Sequence, residues 1–204
     1  CFDTWDPDVH VVDTVPPIIK WLGVGVDYGT SNPFSAILGG IGMDRCIYLV
    51  SEWRYDGRTQ RRQLTDAEYS QRVRGWITNP TPDLPEDERL HDVAVPYWIV
   101  DPSAASFMAQ AHRDGLSTWP ADNAVVDSIR LASSLLVAGK LKVHRRCKDL
   151  INEVPGYSWN PKAQLLGKDE PIKVADHSID AGLRYLPKTT EAIWRQYIDL
   201  AAAA

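Results

Sequence analysis

The stretch Trp21-Leu22-Gly23-Val24-Gly25-Val26-Asp27-Tyr28-Gly29-Thr30-Ser31 is a short apolar run that ends on a carboxylate and breaks at a glycine. Its length, its bounding glycines and its lack of polar alternation describe a buried strand delivering Asp27 to a turn. Downstream, Phe34 to Ile41 and Cys46 to Tyr55 read as two further strands, joined through Gly39-Gly40 and Gly42-Met43-Asp44. The opening unit is therefore expected to be an antiparallel meander. Upstream, residues 1–20 are aromatic and acidic, close on Pro16-Pro17, and read as an extended lead-in.

After the meander the period changes. Thr65-Asp66-Ala67-Glu68 is a capping box, and Tyr69, Val73 and Trp76 follow at helical spacing. A proline-rich acidic loop leads to a fourth strand, Tyr97 to Val100, again ending on an aspartate, Asp101-Pro102-Ser103. Ser103 is placed to cap a helix carrying Phe107, Met108 and Ala111, stopped by Gly115. A short strand near Leu116 to Trp119 precedes a helix with Val125, Ile129, Ala132 and Leu136, capped by Asp122 or Asn123 and ended by Gly139. Leu141 to His144 reads as extended and Lys148 to Glu153 as helical; residues 157–175 read as two strands around Gly167-Lys168-Asp169-Glu170. A last helix begins near Asp176 and buries Ile179, Leu183 and Leu186. Three meandering strands followed by alternating units predict an α/β fold, a mixed sheet with helices on both faces.

Composition sets the outer bounds. With 204 residues, 44% of them hydrophobic and 24% charged, the chain can bury a full core without covalent staples. Cys1, Cys46 and Cys147 are odd in number, far apart and without metal-ligand spacing, which argues against a disulfide framework or a zinc site and for a reducing cytoplasm. No apolar run approaches a membrane span, and no signal peptide opens the chain. Cys1 in place of Met leads us to expect a fragment of a longer protein. The formal net charge of −5 weighs against a phosphate-binding surface, but the cations are unevenly placed. Arg58, Arg61 and Arg62 share one loop, and Lys140, Lys142, His144, Arg145, Arg146 and Lys148 crowd another stretch. Either set is a nucleic-acid contact or simply a solvated face, and charge alone does not separate the two.

The chemistry rests on aspartates. Two apolar strands end in Asp27 and Asp101, and in open α/β sheets reactive groups collect where strand ends meet. On the final helix Asp176 and Asp180 stand four apart, with His177 close to the same stripe. Clustered carboxylates repel unless cations are shared among them, and Mg2+ or Mn2+ prefers oxygen donors. Two such ions about 4 Å apart suit phosphodiester hydrolysis. Plainer readings stand beside this one. Asp101-Pro102-Ser103 is also a turn former, Asp176 an N-cap, Asp180 an i, i+4 partner for Arg184, and His177 an ordinary surface histidine. The Val26-to-Ser31 turn also resembles the first phosphate-binding turn of actin-like sugar kinases, although no second copy follows and the chain is short for two such halves.

Taken in order, the segments resemble the C-terminal nuclease domain of the phage terminase large subunit. The resemblance runs from Phe2 to Leu186. It is carried by Val24 through Pro33, Tyr55-Asp56-Gly57-Arg58, Thr65 through Tyr69, Val100 through Ser106, Ala121-Asp122-Asn123 and Asp176-His177-Ser178-Ile179-Asp180-Ala181-Gly182-Leu183-Arg184-Tyr185. It implies a ribonuclease H-like mixed sheet flanked by helices, with an extra β-hairpin near the active site at residues 157–175. It implies a linker over residues 1–20 following an absent ATPase domain, a nuclease domain over 21–190 and a tail helix over 191–204. By motif position Asp27, Asp101 and Asp180 match the metal-binding acids, His177 a neighbouring position that tunes the site, and Asp176 an auxiliary acid. The implied activity is a two-metal, Mg2+- or Mn2+-dependent endonuclease cutting concatemeric double-stranded DNA in the host cytoplasm, with an ATPase domain, portal and small terminase subunit as partners. Arg58, Arg61, Arg62, Arg145 and Arg146 are candidate phosphate contacts. No Walker-type loop is present, so ATP hydrolysis is not expected of this chain. Gly182 departs from a strong helix former. A domain serving chiefly to dock on the portal is the alternative, with Trp194 available for an apolar contact.

Overall fold

A computed structural model describes residues 1–29 and 32–200; Thr30 and Ser31 of the opening motif and the run Ala201–Ala204 lie outside the described residues. The meander forms as expected, with β2 at Ile18–Asp27, β3 at Phe34–Gly42 and β4 at Ile47–Tyr55. Every residue of β3 is buried, which is why it reads as a continuous apolar run. Four shorter strands complete the sheet: β1 at Val11–Val12, β5 at Trp98–Val100, β6 at Thr118–Pro120 and β7 at Leu141–His144. The seven strands lie in the order β1-β7-β4-β3-β2-β5-β6. Pairings within the meander are antiparallel, whereas β5 joins β2, β6 joins β5, β7 joins β4 and β1 joins β7 in parallel. Reversing direction twice returns β4 to the direction of β2, so the long meander can accept parallel additions on both sides.

Helices cover both faces. Asp66–Thr78 and Ala105–Arg113 bury Tyr69, Val73, Phe107 and Ala111 against Val24, Phe34 and Leu38. On the opposite face Val125–Val137 and the C-terminal helices pack Ile129, Leu136, Leu183 and Leu186 onto Leu22, Ile37 and Leu49. The capping box is realised in full: the Glu68 amide donates to Thr65 Oγ1, and the Thr65 amide donates to Glu68 Oε2.

Several expectations need correction. Residues 157–175 do not form a two-stranded hairpin. A single antiparallel bridge, Trp159 to Pro171, closes a loop that contains the short helix Pro161–Gln164. Asn160 caps Pro161 at the first helical position, and Pro171 has no N–H for a ladder, so the local residues favour a turn of helix over paired strands. Ser103 does not cap Ala105–Arg113, nor do Asp122 and Asn123 cap Val125–Val137; those helices begin without a side-chain cap. The acids instead close turns ahead of them, Asp101 accepting the Ser103 amide and Asp122 the Ala124 amide. The lead-in is not merely extended: Phe2 is in the core and β1 forms the sheet edge. Trp194 offers no contact surface, being fully buried with its indole N–H donating to the Pro187 carbonyl at 2.7 Å.

Candidate active site

Register brings the first two acids together. Val26 lies opposite Val100 in the parallel β2–β5 pair, so Asp27 and Asp101 leave the sheet side by side at the C-terminal end of their strands. The other acids come from the helix crossing β2. Its central stretch, Ile179–Tyr185, is a π-helix, a widened helical form frequent at functional sites. Pro187 has no N–H to offer the Leu183 carbonyl, which weakens the α-helical alternative here. Close approach to the sheet depends on Gly25, where a Cβ would stand 1.9 Å from the Ala181 carbonyl oxygen. Gly182 plays the reciprocal part: a Cβ there would lie 3.2 Å from Ile37 and Leu49. Gly182, a weak helix former, thus sits where the helix packs tightly on the sheet, while Gly25 is the glycine its close approach requires.

The resulting cleft, about 590 Å³, is lined by Asp27, Asp56, Asp101, Asp176, His177, Asp180 and Tyr185, with Arg54, Arg58 and Lys173 on its walls. His177 Nδ1 donates to Asp27 Oδ2 at 2.7 Å. The Tyr185 hydroxyl donates to Asp101 Oδ2 at 2.8 Å, and the Ser103 amide to Asp101 Oδ1 at 2.7 Å. Asp180 is held by the buried Arg184 guanidinium, which also donates to Ser128 Oγ at 3.0 Å. Asp176 is buried, and its Oδ2 has no hydrogen-bond partner among the described residues. Beneath Asp27, the Tyr28 ring stacks on Phe107 and its hydroxyl donates to Asp66, anchoring the turn.

Electrostatics follow from this packing. Burial raises the Asp27 carboxyl despite its bond to His177. Burial likewise pushes Asp180 up to about 6, with Arg184 pulling the other way. Burial also opposes ionisation of Asp101, but the hydrogen bonds from Ser103 and Tyr185 prevail and hold it below the usual range. His177 loses solvation, yet its bond to Asp27 raises it overall. Such a set of acids, Asp176 and Asp180 buried and Asp27 and Asp101 half-buried, suits a hard divalent cation. Among the described residues no three His, Cys, Asp or Glu side chains converge on a common ion-sized point. Asp27 and Asp180 are drawn instead onto His177 and Arg184.

The structure gathers Asp27, Asp101, Asp176, His177, Asp180 and Arg58 at one cleft. Arg61, Arg62, Arg145 and Arg146 do not line it: Arg62 pairs with Glu68, Arg145 with Asp13, and Arg146 with Asp83. Arg54, Asp56, Lys173 and Tyr185 were not singled out from sequence. Tyr185 closes the Asp176-to-Tyr185 motif and Arg54 is two residues before Asp56, but neither spacing reveals a long-range partner.

No family model matches the chain. The large terminase of the thermophilic bacteriophage D6E, solved in complex with ADP, is 36% identical, superposes with a TM-score of 0.78, and matches 91% of this chain and 44% of its own. The chain thus spans less than half of that relative's length. The P22 large terminase nuclease domain is 15% identical with a TM-score of 0.69, covering 98% of this chain and 94% of its own. The nuclease domain of the bacteriophage SPP1 large terminase with bound Mn is 14% identical with a TM-score of 0.57, covering 92% and 97%. A local likeness to 3-ketoacyl-CoA thiolase 1, peroxisomal, of Arabidopsis thaliana is 33% identical over 117 residues, 57% of this chain and 22% of that enzyme. That fifth of an enzyme transfers no activity. In fold, the chain matches phage large terminases, isolated nuclease domains among them, as a mixed α/β sheet flanked by helices.

Proposed function

We propose that this chain is a divalent-metal-dependent endonuclease domain that cuts double-stranded DNA. The observation that carries the reading is the convergence of Asp27, Asp101, Asp176 and Asp180, from two adjacent strand ends and one helix, in a single cleft. Asp27, Asp101 and Asp180 would hold the divalent ions, with Asp176 in support. Mg2+ or Mn2+ bound there supplies the charge that activates a water toward phosphorus and stabilises the departing 3′ oxygen. His177 keeps a proton on Nδ1 against Asp27 and so orients that carboxylate. Tyr185 and the Ser103 amide fix Asp101 by one hydrogen bond to each oxygen. Arg58 and Lys173, which line the cleft, would take phosphate oxygens of the bound strand.

In a parent protein the domain would cut concatemeric phage DNA into genome lengths. It would work beside an ATPase domain that precedes residues 1–20, and with a portal and a small terminase subunit, in the host cytoplasm. No helix among the described residues is long and apolar enough to cross a membrane. The test is incubation with supercoiled plasmid and Mg2+ or Mn2+, with EDTA and Asp180→Asn as controls. Nicking and linearisation that both controls abolish are expected. Cutting that survives Asp180→Asn removes this acid from the scheme, and folded protein that cuts with neither ion overturns the reading.

A further inference from the structure

Arg54, next to last in β4, lines the cleft but spends its guanidinium inward. Its Nη1 donates to Glu153 Oε1 at 2.5 Å and to Ser178 Oγ at 2.8 Å. The other carboxylate oxygen of Glu153 accepts the Ser178 amide at 2.8 Å and the Ile179 amide at 3.1 Å. These N–H groups belong to the first turn of the helix that carries Asp180, where amides lack intrahelical acceptors and a negative charge is favoured. Ser178 Oγ is tied in turn to Ser35 Oγ of β3 at 2.9 Å. Glu153, with a side chain only 5% exposed, therefore grips the backbone between His177 and Asp180.

The grip is anchored at its other end. Glu153 closes the short helix Lys148–Glu153, whose own first amides are held by Glu52, Asp149 at 2.9 Å and Leu150 at 3.2 Å. Glu52 and Arg54 are two apart on β4 and so face the same side of the sheet. One strand thus fixes the short helix through Glu52 and braces its last residue through Arg54. That last residue sets the entry of the acid-bearing helix.

We propose that Glu153, clamped by Arg54, is a positioning residue that sets where Asp176, His177 and Asp180 stand against Asp27 and Asp101. This rests on the nuclease reading above. A purely structural ion pair would make the same contacts, so the test must move the site without moving the fold. Mn2+ titration calorimetry, thermal unfolding and plasmid-nicking kinetics are compared for the wild type, Glu153→Gln and the double variant Arg54→Met/Glu153→Met. Exchanging a buried ion pair for apolar side chains of similar size is often neutral for stability, but losing the Glu153 carboxylate also leaves the Ser178 and Ile179 amides without their acceptor. The double variant is therefore expected to lose some Tm while staying folded at the assay temperature. Its Mn2+ affinity is expected to fall by roughly 10- to 100-fold, as when a group orienting a metal ligand is lost, with kcat falling alongside. Glu153→Gln keeps an oxygen for the two amides and is expected to fall between. Unchanged Mn2+ affinity and kcat in the folded double variant overturn the inference and leave the nuclease reading standing. A wild type that binds no Mn2+ overturns both. If the double variant does not fold, unchanged affinity in Glu153→Gln overturns the inference alone.

Discussion

The Tyr185 hydroxyl reaches Asp101 from a side chain that is itself buried, across 84 residues of sequence. Tyr185→Phe keeps the ring and removes one hydrogen bond, a loss of about 1 kcal/mol in stability. Its effect on the site is expected to be larger. Mn2+ affinity should fall about tenfold as Asp101 loses its orientation, which calorimetry reads directly; unchanged affinity would detach Asp101 from the ion. Gly25→Ala tests the seat of the helix. The added methyl collides with the Ala181 backbone, which no rotamer change relieves, so destabilisation at or above the upper end of the ~1–3 kcal/mol typical of overpacking is expected in urea unfolding. Asp27 and Asp101 were legible from sequence because each ends an apolar run, a local pattern. Tyr185, Arg54 and Glu153 were not, because their meaning lies in partners that only the folded chain brings near.

Among the elements, the short helix Lys148–Glu153 carries a pH-dependent contribution through Glu52. Burial pushes the Glu52 carboxyl from an ordinary 4.5 up to about 7, against the Ser178 hydroxyl and the Asp149 amide, which favour its charged form. Between those values the folded protein holds a proton that the unfolded chain has released. The associated stability is therefore complete below pH 4.5, declines as pH rises, and is lost above 7. Glu52→Gln keeps an acceptor for one amide and cannot ionise. Its Tm should match the wild type in acid and exceed it above neutrality, by at most about 3 kcal/mol in stability terms. A variant curve parallel to the wild type across that window would remove Glu52 as the source. The Thr65 capping box was readable because its entire logic spans four residues. Strand β1 was not readable: two valines pair with β7 more than 130 residues away. The 157–175 segment misled because alternating apolar and polar residues mimic strands, while Asn160-Pro161 dictates a helical turn.

At the scale of the whole molecule, a net charge of −5 and a DNA substrate are reconciled only by local placement. Of the five arginines marked as phosphate contacts, Arg58 reaches the cleft, while Arg146 is bound to Asp83 and to the Val50 carbonyl with its side chain 10% exposed. Arg58→Ala should lower the salt slope of DNA binding by about 1, and Arg146→Ala should leave it unaltered. The cleft itself is acidic: Asp27, Asp56, Asp101, Asp176 and Asp180 face Arg58 and Lys173, while the Arg54 charge is met by Glu153, so acids outnumber cations before His177 is counted. Such a surface repels phosphate until cations enter it, so DNA affinity should depend on divalent ions even when no cutting occurs. Ca2+, an oxygen-seeking ion that often fails to support hydrolysis, separates the two effects. Fluorescence anisotropy with a labelled duplex should give weak binding in EDTA and tighter binding in Ca2+. The double variant Asp27→Asn/Asp180→Asn, relieved of two charges, should bind more tightly than the wild type in EDTA and gain little from Ca2+. Equal wild-type affinity in EDTA and Ca2+ would mean that the duplex rests on another surface and that the cleft does not hold it.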